Sequence, residues 1–320
     1  MVGTIAINTT YHISAQLCVP TQGSAKSDIL QIASPGLGWD KRYWDVQAEG
    51  YNYVDAAISE GYSTLIYDRI GTGDSSRPDA YADVQAASQV EVLKALTDLA
   101  RSGELTKSSE IKSETKSSKL CSYKPNKIVH VGHSFGSIVT AGLLAAHGEV
   151  SDGAIVTGFV YGREMFFTTP VAYGLEYAAE NDPVRFGDRG SGYVVQGTRS
   201  SIQQIFFKKG SFEPAMLVYA EEAKQPGSVG ELLTGGQVLG KPAQKFKGPL
   251  QFFLGEYDDA MCGGDCNDQI DLPEVLESLY PHATNISIYL QPATGHGLTL
   301  STNATAGYKV MFSFLKAYGL

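Results

Sequence analysis

Short apolar runs rich in β-branched residues alternate along this chain with segments whose apolar positions recur every three or four residues. These are the periodicities of buried strands and of amphipathic helices. Residues 28–34, 61–67, 127–131, 153–161, 249–254 and 286–290 read as strands, and residues 3–7 and 11–18 as an opening antiparallel pair around the turn 8–10. Helices are predicted near 53–60, over 83–100, where Val90, Leu93, Leu96 and Leu99 share a face, over 137–146, near 272–280 and over 304–318. A chain that passes from strand to helix at least six times in succession builds a largely parallel sheet covered on both faces, an α/β fold.

Two stretches break this rhythm. Residues 102–126 open with Lys, Ser, Glu and Thr and carry only Leu105 and Ile111 as sizeable apolar residues up to position 119. That composition predicts a solvated surface loop, and Glu104, Glu110 and Glu114 offset its lysines, so it is no basic binding arm. Residues 163–246 are rich in aromatics, among them Phe166, Phe167, Tyr173, Tyr193, Phe206 and Phe212. A helical, aromatic-rich cap is expected there, inserted over the carboxyl edge of the sheet and dividing the core into 1–162 and 247–320. Most of its aromatics would form the cap's own core, and a minority would face a pocket.

Composition narrows the partners. At 320 residues, with 43% hydrophobic and 18% charged residues, the chain is large enough for one α/β domain with an insertion. No run approaches the ~18 apolar residues of a membrane span. The formal net charge of −9 argues against a nucleic-acid or anionic-membrane partner. A small-molecule substrate is the expected partner, and no metal or organic cofactor is implied. The cysteines are Cys18, Cys121, Cys262 and Cys266. Zinc would need a second nearby Cys/His pair, so Cys262 and Cys266 are expected to form a local disulfide across a Gly-rich turn, with Cys18–Cys121 as a further possible pairing. Sequons at Asn8, Asn285 and Asn303 add to the expectation of the secretory pathway. The first residues show no signal-peptide pattern, so Met1 is expected to stand where one was removed.

The chemistry centres on Gly132-His133-Ser134-Phe135-Gly136, which follows a β-branched run and passes straight into an Ala/Leu-rich helical pattern. A serine held on a sharp strand-to-helix turn needs glycine neighbours so that strand and helix can approach, which is the context of a nucleophile elbow. Asp258 and His296 also sit just beyond predicted strand ends. In a parallel sheet those ends share an edge, so Ser134, Asp258 and His296 can meet there as nucleophile, orienting acid and base. The N–H groups of Phe135 and Leu37 are the expected oxyanion donors, Leu37 lying in a Gly-containing loop after the strand 28–34. Asp259 competes with Asp258 for the acid, and Asp68 is a weaker third candidate. His130 and His133 lie in the elbow strand and turn, so packing roles are expected of them, and Ser137 is helical. Gly71 and Gly73 lack the third glycine and lysine of a phosphate cradle, and Asp68-Arg69 is expected to brace that loop.

With these residues in place the chain resembles the α/β-hydrolase superfamily. The elbow at 132–136, Asp68-Arg69-x-Gly71-x-Gly73-x-Ser75-x-x-Pro78, Gly255-x-x-Asp258 and Gly295-His296-Gly297 look like its landmarks and span almost the whole sequence. The resemblance implies an α/β-hydrolase fold and favours Asp258 as the acid. Tyr43-Trp44-Asp45, Phe206-Phe207-x-x-Gly210-Ser211-Phe212 and the Cys262–Cys266 motif look more narrowly like secreted fungal members. Many members carry His-Gly where this chain has Pro35-Gly36, so the oxyanion loop is expected to differ in shape, and Gly38 is the alternative to Leu37. The implied activity is a serine hydrolase that opens a carboxylic ester or lactone of an apolar or aromatic molecule through an acyl-enzyme. Two other readings use the same residues: a lyase, cyclisation or acyl-transfer enzyme that excludes water, and a ligand-binding protein without turnover.

Overall fold

The apolar runs pair into a seven-stranded sheet in the computed structural model, which describes residues 6–21, 24, 26–107, 123–161, 172–267 and 273–320. In chain order the strands are β1 (Ala15–Cys18), β2 (Ile29–Ser34), β3 (Ser63–Tyr67), β4 (Lys127–His133) and β5 (Gly153–Thr157). A separate small sheet holds β6 (Leu175–Tyr177), β7 (Tyr193–Gln196) and β8 (Gly227–Ser228), after which β9 (Pro249–Gly255) and β10 (Asn285–Gln291) complete the first. The main sheet runs β1-β3-β2-β4-β5-β9-β10, with β1 antiparallel to β3 and every other neighbour parallel. Its central strands are covered on both faces, which is why they read as continuous apolar runs rather than as alternation.

Successive side chains of those strands feed two cores. Val129, Val131, Ile155 and Phe253 pack with Met311, Phe312 and Leu315 of the closing helix Ala304–Ala317. Ile128, Val156, Leu250 and Phe252 point the other way, onto Leu93 of the helix Ala86–Ser102 and Val139 and Leu143 of the helix Phe135–His147. From β2 the chain moves to β3 on one side, then returns past β2 to β4 on the other. The order therefore reverses between β2 and β4, and open α/β sheets bind ligands outside the carboxyl ends of the strands at such a reversal. Pro35-Gly36 and Ser134 follow those two ends directly.

Two expectations change. The opening hairpin does not form within the described residues: β1 begins only at Ala15, and residues 6–14 carry no strand. Their backbone bonds instead to β3 and its following loop, through Asp68 N–H to Ser14 O at 2.8 Å and Ser76 N–H to His12 O at 2.8 Å, so the partner lies far along the chain. Residues 1–5 lie outside the described residues. The stretch 172–246 is not purely helical. It combines the antiparallel β6-β7-β8 sheet with short helices, among them Arg199–Phe206, Pro214–Ala223 and Val229–Thr234. Phe186, Tyr193 and Phe206 are buried there, whereas Phe166 and Phe167 fall outside the described residues. Of the expected surface loop 102–126, residues 108–122 lie outside the described residues, Cys121 among them.

Candidate active site

At the end of β4 the chain turns through Ser134, whose φ of 52° and ψ of −118° are unusual for any residue but glycine. Such a conformation costs about 1–3 kcal/mol and persists only where its surroundings impose it. Here Ser134 N–H donates to Thr157 O at 2.8 Å, and Ser134 O accepts from Ser137 N–H at 2.8 Å and Ile138 N–H at 3.1 Å. The glycines answer to sterics. A Cβ on Gly132 would lie 2.6 Å from Gly136 O and from Ser137 Cα, and one on Gly136 would lie 2.2 Å from Ser34 O. Strand, helix and the loop after β2 thus approach as closely as backbone permits, and Ser134 retains only 7% of its surface exposed.

Asp258 and His296 come together at the same edge. Asp258 Oδ1 accepts from Met261 N–H at 2.9 Å, capping the short helix Asp259–Cys262, and Oδ2 lies 2.7 Å from His296 Nδ1. Both side chains are fully buried. Their loops are zipped together through Tyr257 N–H to Thr294 O at 2.8 Å, and Gly297 N–H donates to Phe206 O at 2.8 Å at the end of the helix Arg199–Phe206. The Cys262–Cys266 disulfide closes the turn beyond the acid, with a Cα–Cα separation of 5.1 Å. The ring of His296 lies 5.5 Å from Phe206 and 4.8 Å from His133 between centroids. A Cβ on Gly158, the residue after the Thr157 that holds Ser134 N–H, would lie 3.0 Å from His296 Cε1. His296 Nε2 is buried and has no hydrogen-bond partner among the described residues.

The competing residues go elsewhere. Asp259 is partly buried, and burial together with the charge of Asp258 raises its pKa; His296 bonds to Asp258. Asp68 is committed to the loop, pairing with Lys41 Nζ at 2.7 Å and accepting from Lys41 N–H at 2.9 Å and Asp74 N–H at 3.0 Å. His133 is stacked on Tyr43 at 4.2 Å, and burial and the nearby His296 push its pKa far down, so it sits neutral beneath the site. His130 is removed from the edge, between Thr97 Oγ1 at 2.9 Å and Ser151 Oγ at 2.8 Å. Ser137 Oγ donates to Thr157 O at 2.8 Å within the helix packing.

Phe135 is the first residue of its helix, so its N–H has no intrahelical acceptor. Leu37 N–H and Gly38 N–H likewise have no acceptor among the described residues; Gly38, at φ 79°, accepts at its carbonyl from Gln225 N–H at 2.8 Å. Tyr173 cannot be told in sequence from the other aromatics between residues 163 and 246. Its phenol interacts with the Ser134 side chain, and burial and then the charge of Asp258 raise its pKa. Among the described residues no group of His, Cys, Asp and Glu could hold a metal, and no helix is long and apolar enough to cross a membrane.

Solved structures repeat this architecture. One from a study of carboxylesterases of the thaumarchaeon Nitrososphaera gargenis is 12% identical, covering 97% of this chain and 96% of its own with a TM-score of 0.60. A methylesterase from Arabidopsis is 12% identical over 90% of this chain and 99% of its own, with a TM-score of 0.57. A bromoperoxidase from Bacillus anthracis is 18% identical over 96% of each chain, with a TM-score of 0.56. At such identities the likeness is one of fold, and its members differ in chemistry. No curated protein matches the sequence. The Alpha/beta hydrolase family description matches residues 32–306, from β2 to the start of the closing helix, and the chain belongs to that family.

Proposed function

We propose that the protein is a serine hydrolase that cleaves a carboxylic ester or lactone of an apolar or aromatic small molecule. One observation carries the reading: the fully buried Asp258–His296 pair, bonded at 2.7 Å, stands at the same sheet edge as a serine held in a strained elbow. In this mechanism Ser134 Oγ attacks the carbonyl carbon while His296 Nε2 takes its proton. Asp258 holds the imidazole with its other proton on Nδ1 and stabilises the imidazolium. The Phe135 and Leu37 N–H groups take the oxyanion, a contribution of about 10²–10³ in rate per donor. Collapse expels the alcohol, protonated by His296, and water then releases the acid by the same steps in reverse. Phe206, whose ring lies 5.5 Å from His296 and 5.4 Å from Trp39, supports an apolar or aromatic acyl group. A secretory location belongs to the same proposal, supported by the Cys262–Cys266 disulfide.

Intact-mass measurement and peptide mapping after exposure to a small fluorophosphonate test the assignment, on wild type and on Ser134→Ala. An adduct on Ser134 that the folded variant lacks, together with loss of ester turnover, is expected. Ester turnover retained by Ser134→Ala would reject it.

A further inference from the structure

Arg69 is fully buried, and a guanidinium taken out of water is costly unless each of its donors finds an acceptor. Its acceptors are specific. Nε donates to Pro35 O at 3.0 Å, Nη2 to Gly36 O at 3.0 Å, and Nη1 pairs with Glu231 Oε1. Its guanidinium carbon lies 4.9 Å from the centre of the Phe135 ring. One side chain therefore touches both segments from which the oxyanion donors come, and a cap residue neutralises it.

We propose that Arg69 and Glu231 are positioning residues, a buried clamp through which the cap sets the direction of the oxyanion-loop N–H groups. The inference rests on the hydrolase reading above. The peptide bonds of the loop are trans and planar, so a carbonyl and the N–H that follows it point in opposite directions. Binding Pro35 O and Gly36 O to one rigid fork turns Gly36 N–H and Leu37 N–H to the opposite side. Neither N–H has an acceptor among the described residues. The loop lies directly on the nucleophile, since a Cβ on Gly36 would be 3.0 Å from Ser134 Cβ. Without the fork, either peptide is free to rotate and present its carbonyl to the developing anion, exchanging attraction for repulsion.

Glu231 is itself held in place. Oε1 accepts from Gln89 Nε2 at 2.9 Å and Oε2 from Ser228 N–H at 3.0 Å, while Glu231 N–H donates to Ser228 Oγ at 2.9 Å in the capping box of the helix Val229–Thr234. The adjoining cap segment grips the loop twice more. Gln225 N–H donates to Gly38 O at 2.8 Å, and a Cβ on Gly227 would lie 2.4 Å from Leu37 Cδ1. The position of residues 225–231 is thus transmitted to the loop through Arg69, Gly38 and Leu37.

The test compares wild type, Glu231→Gln and the double variant Arg69→Met/Glu231→Leu, which removes both buried charges together and leaves neither unpaired. Thermal melting reports the fold, steady-state kinetics on an aryl ester report kcat and KM, and inhibition by a trifluoromethyl ketone reports binding of a tetrahedral oxyanion. The folded double variant should lose about 10²–10³ in kcat with KM within a few fold, as for a lost oxyanion donor. Its affinity for the ketone should fall by a similar factor, while affinity for the carboxylic acid product stays unchanged. Glu231→Gln, nearly isosteric, should show the same pattern at about tenfold, and it carries the test should the double variant fail to fold. A folded variant with wild-type kcat and ketone affinity, or with loss in KM alone, would overturn the clamp and leave the hydrolase reading standing. A wild type that neither turns over ester nor takes a fluorophosphonate on Ser134 would remove the hydrolase reading, and the clamp's role with it.

Discussion

Replacing Asp258 by Asn tests the assignment of the acid at a single atom. Asp258 Oδ1 accepts from Met261 N–H at 2.9 Å, and a buried amide must keep its oxygen there, because an NH₂ group would face another donor. The amide nitrogen then faces His296 Nδ1, where Oδ2 stood at 2.7 Å. That forces the imidazole into the tautomer with its proton on Nε2, which can no longer take a proton from Ser134. Both side chains are fully buried, so no solvent restores the arrangement. The lost charge also matters: opposite unit charges ~4 Å apart at an effective dielectric constant of ~20 interact by about 4 kcal/mol. At 1.4 kcal/mol per decade that is roughly 10³ in rate, and the wrong tautomer carries the loss towards ~10⁴. Asp259→Asn is the matched control. Asp259 is partly buried beside Asp258, while His296 bonds to Asp258, so its loss should cost less than about tenfold. Steady-state hydrolysis of a short p-nitrophenyl ester gives kcat/KM for each variant, and thermal melting verifies the fold. Comparable losses in the two variants, or more than a tenth of wild-type activity in Asp258→Asn, would refute the reasoning.

Two further outcomes follow from the core beneath the site. Burial first, and then the charge of Arg101, lowers the pKa of His130 to about 3 from 6.5. The native state resists a proton that the unfolded chain accepts, so this stability is full above pH 6.5 and drains as the pH falls towards 3, by roughly 2 kcal/mol at pH 5. Urea unfolding should therefore show the stability gap between wild type and His130→Gln narrowing by about that amount from pH 7 to pH 5; a gap independent of pH would contradict it. At Gly136 a Cβ would fall 2.2 Å from Ser34 O and 2.6 Å from Pro35 O, both backbone atoms that cannot step aside alone. Gly136→Ala should cost about 1–3 kcal/mol in stability and slow fluorophosphonate labelling by more than about tenfold, whereas unchanged labelling would show that the loop can shift freely.

What the sequence determined by itself is what short-range pattern encodes. The elbow could be read because a buried strand, two glycines around a serine and an apolar helix are contiguous, and each answers to local sterics. Asp258 and His296 could be placed at one edge because parallel strands necessarily end together, whatever the details of packing. Tertiary structure alone decided which partners meet. Asp258 and Asp259 are neighbours in sequence, and only the course of the His296 loop selects which carboxylate its ring reaches. The opening residues 11–18 carry a strand pattern, yet their partner is β3 and its loop rather than a hairpin, because backbone groups pair with whichever edge the folded sheet leaves open. Aromatics between residues 163 and 246 announce burial without direction, so Tyr173 beside Ser134 cannot be told in sequence from Phe186, which is buried in one cluster with Ile70 and Val84. Arg69 and Glu231 lie 162 positions apart. Periodicity records which faces avoid water, a property of each segment, whereas the pairing of two buried charges depends on where the whole chain has brought them.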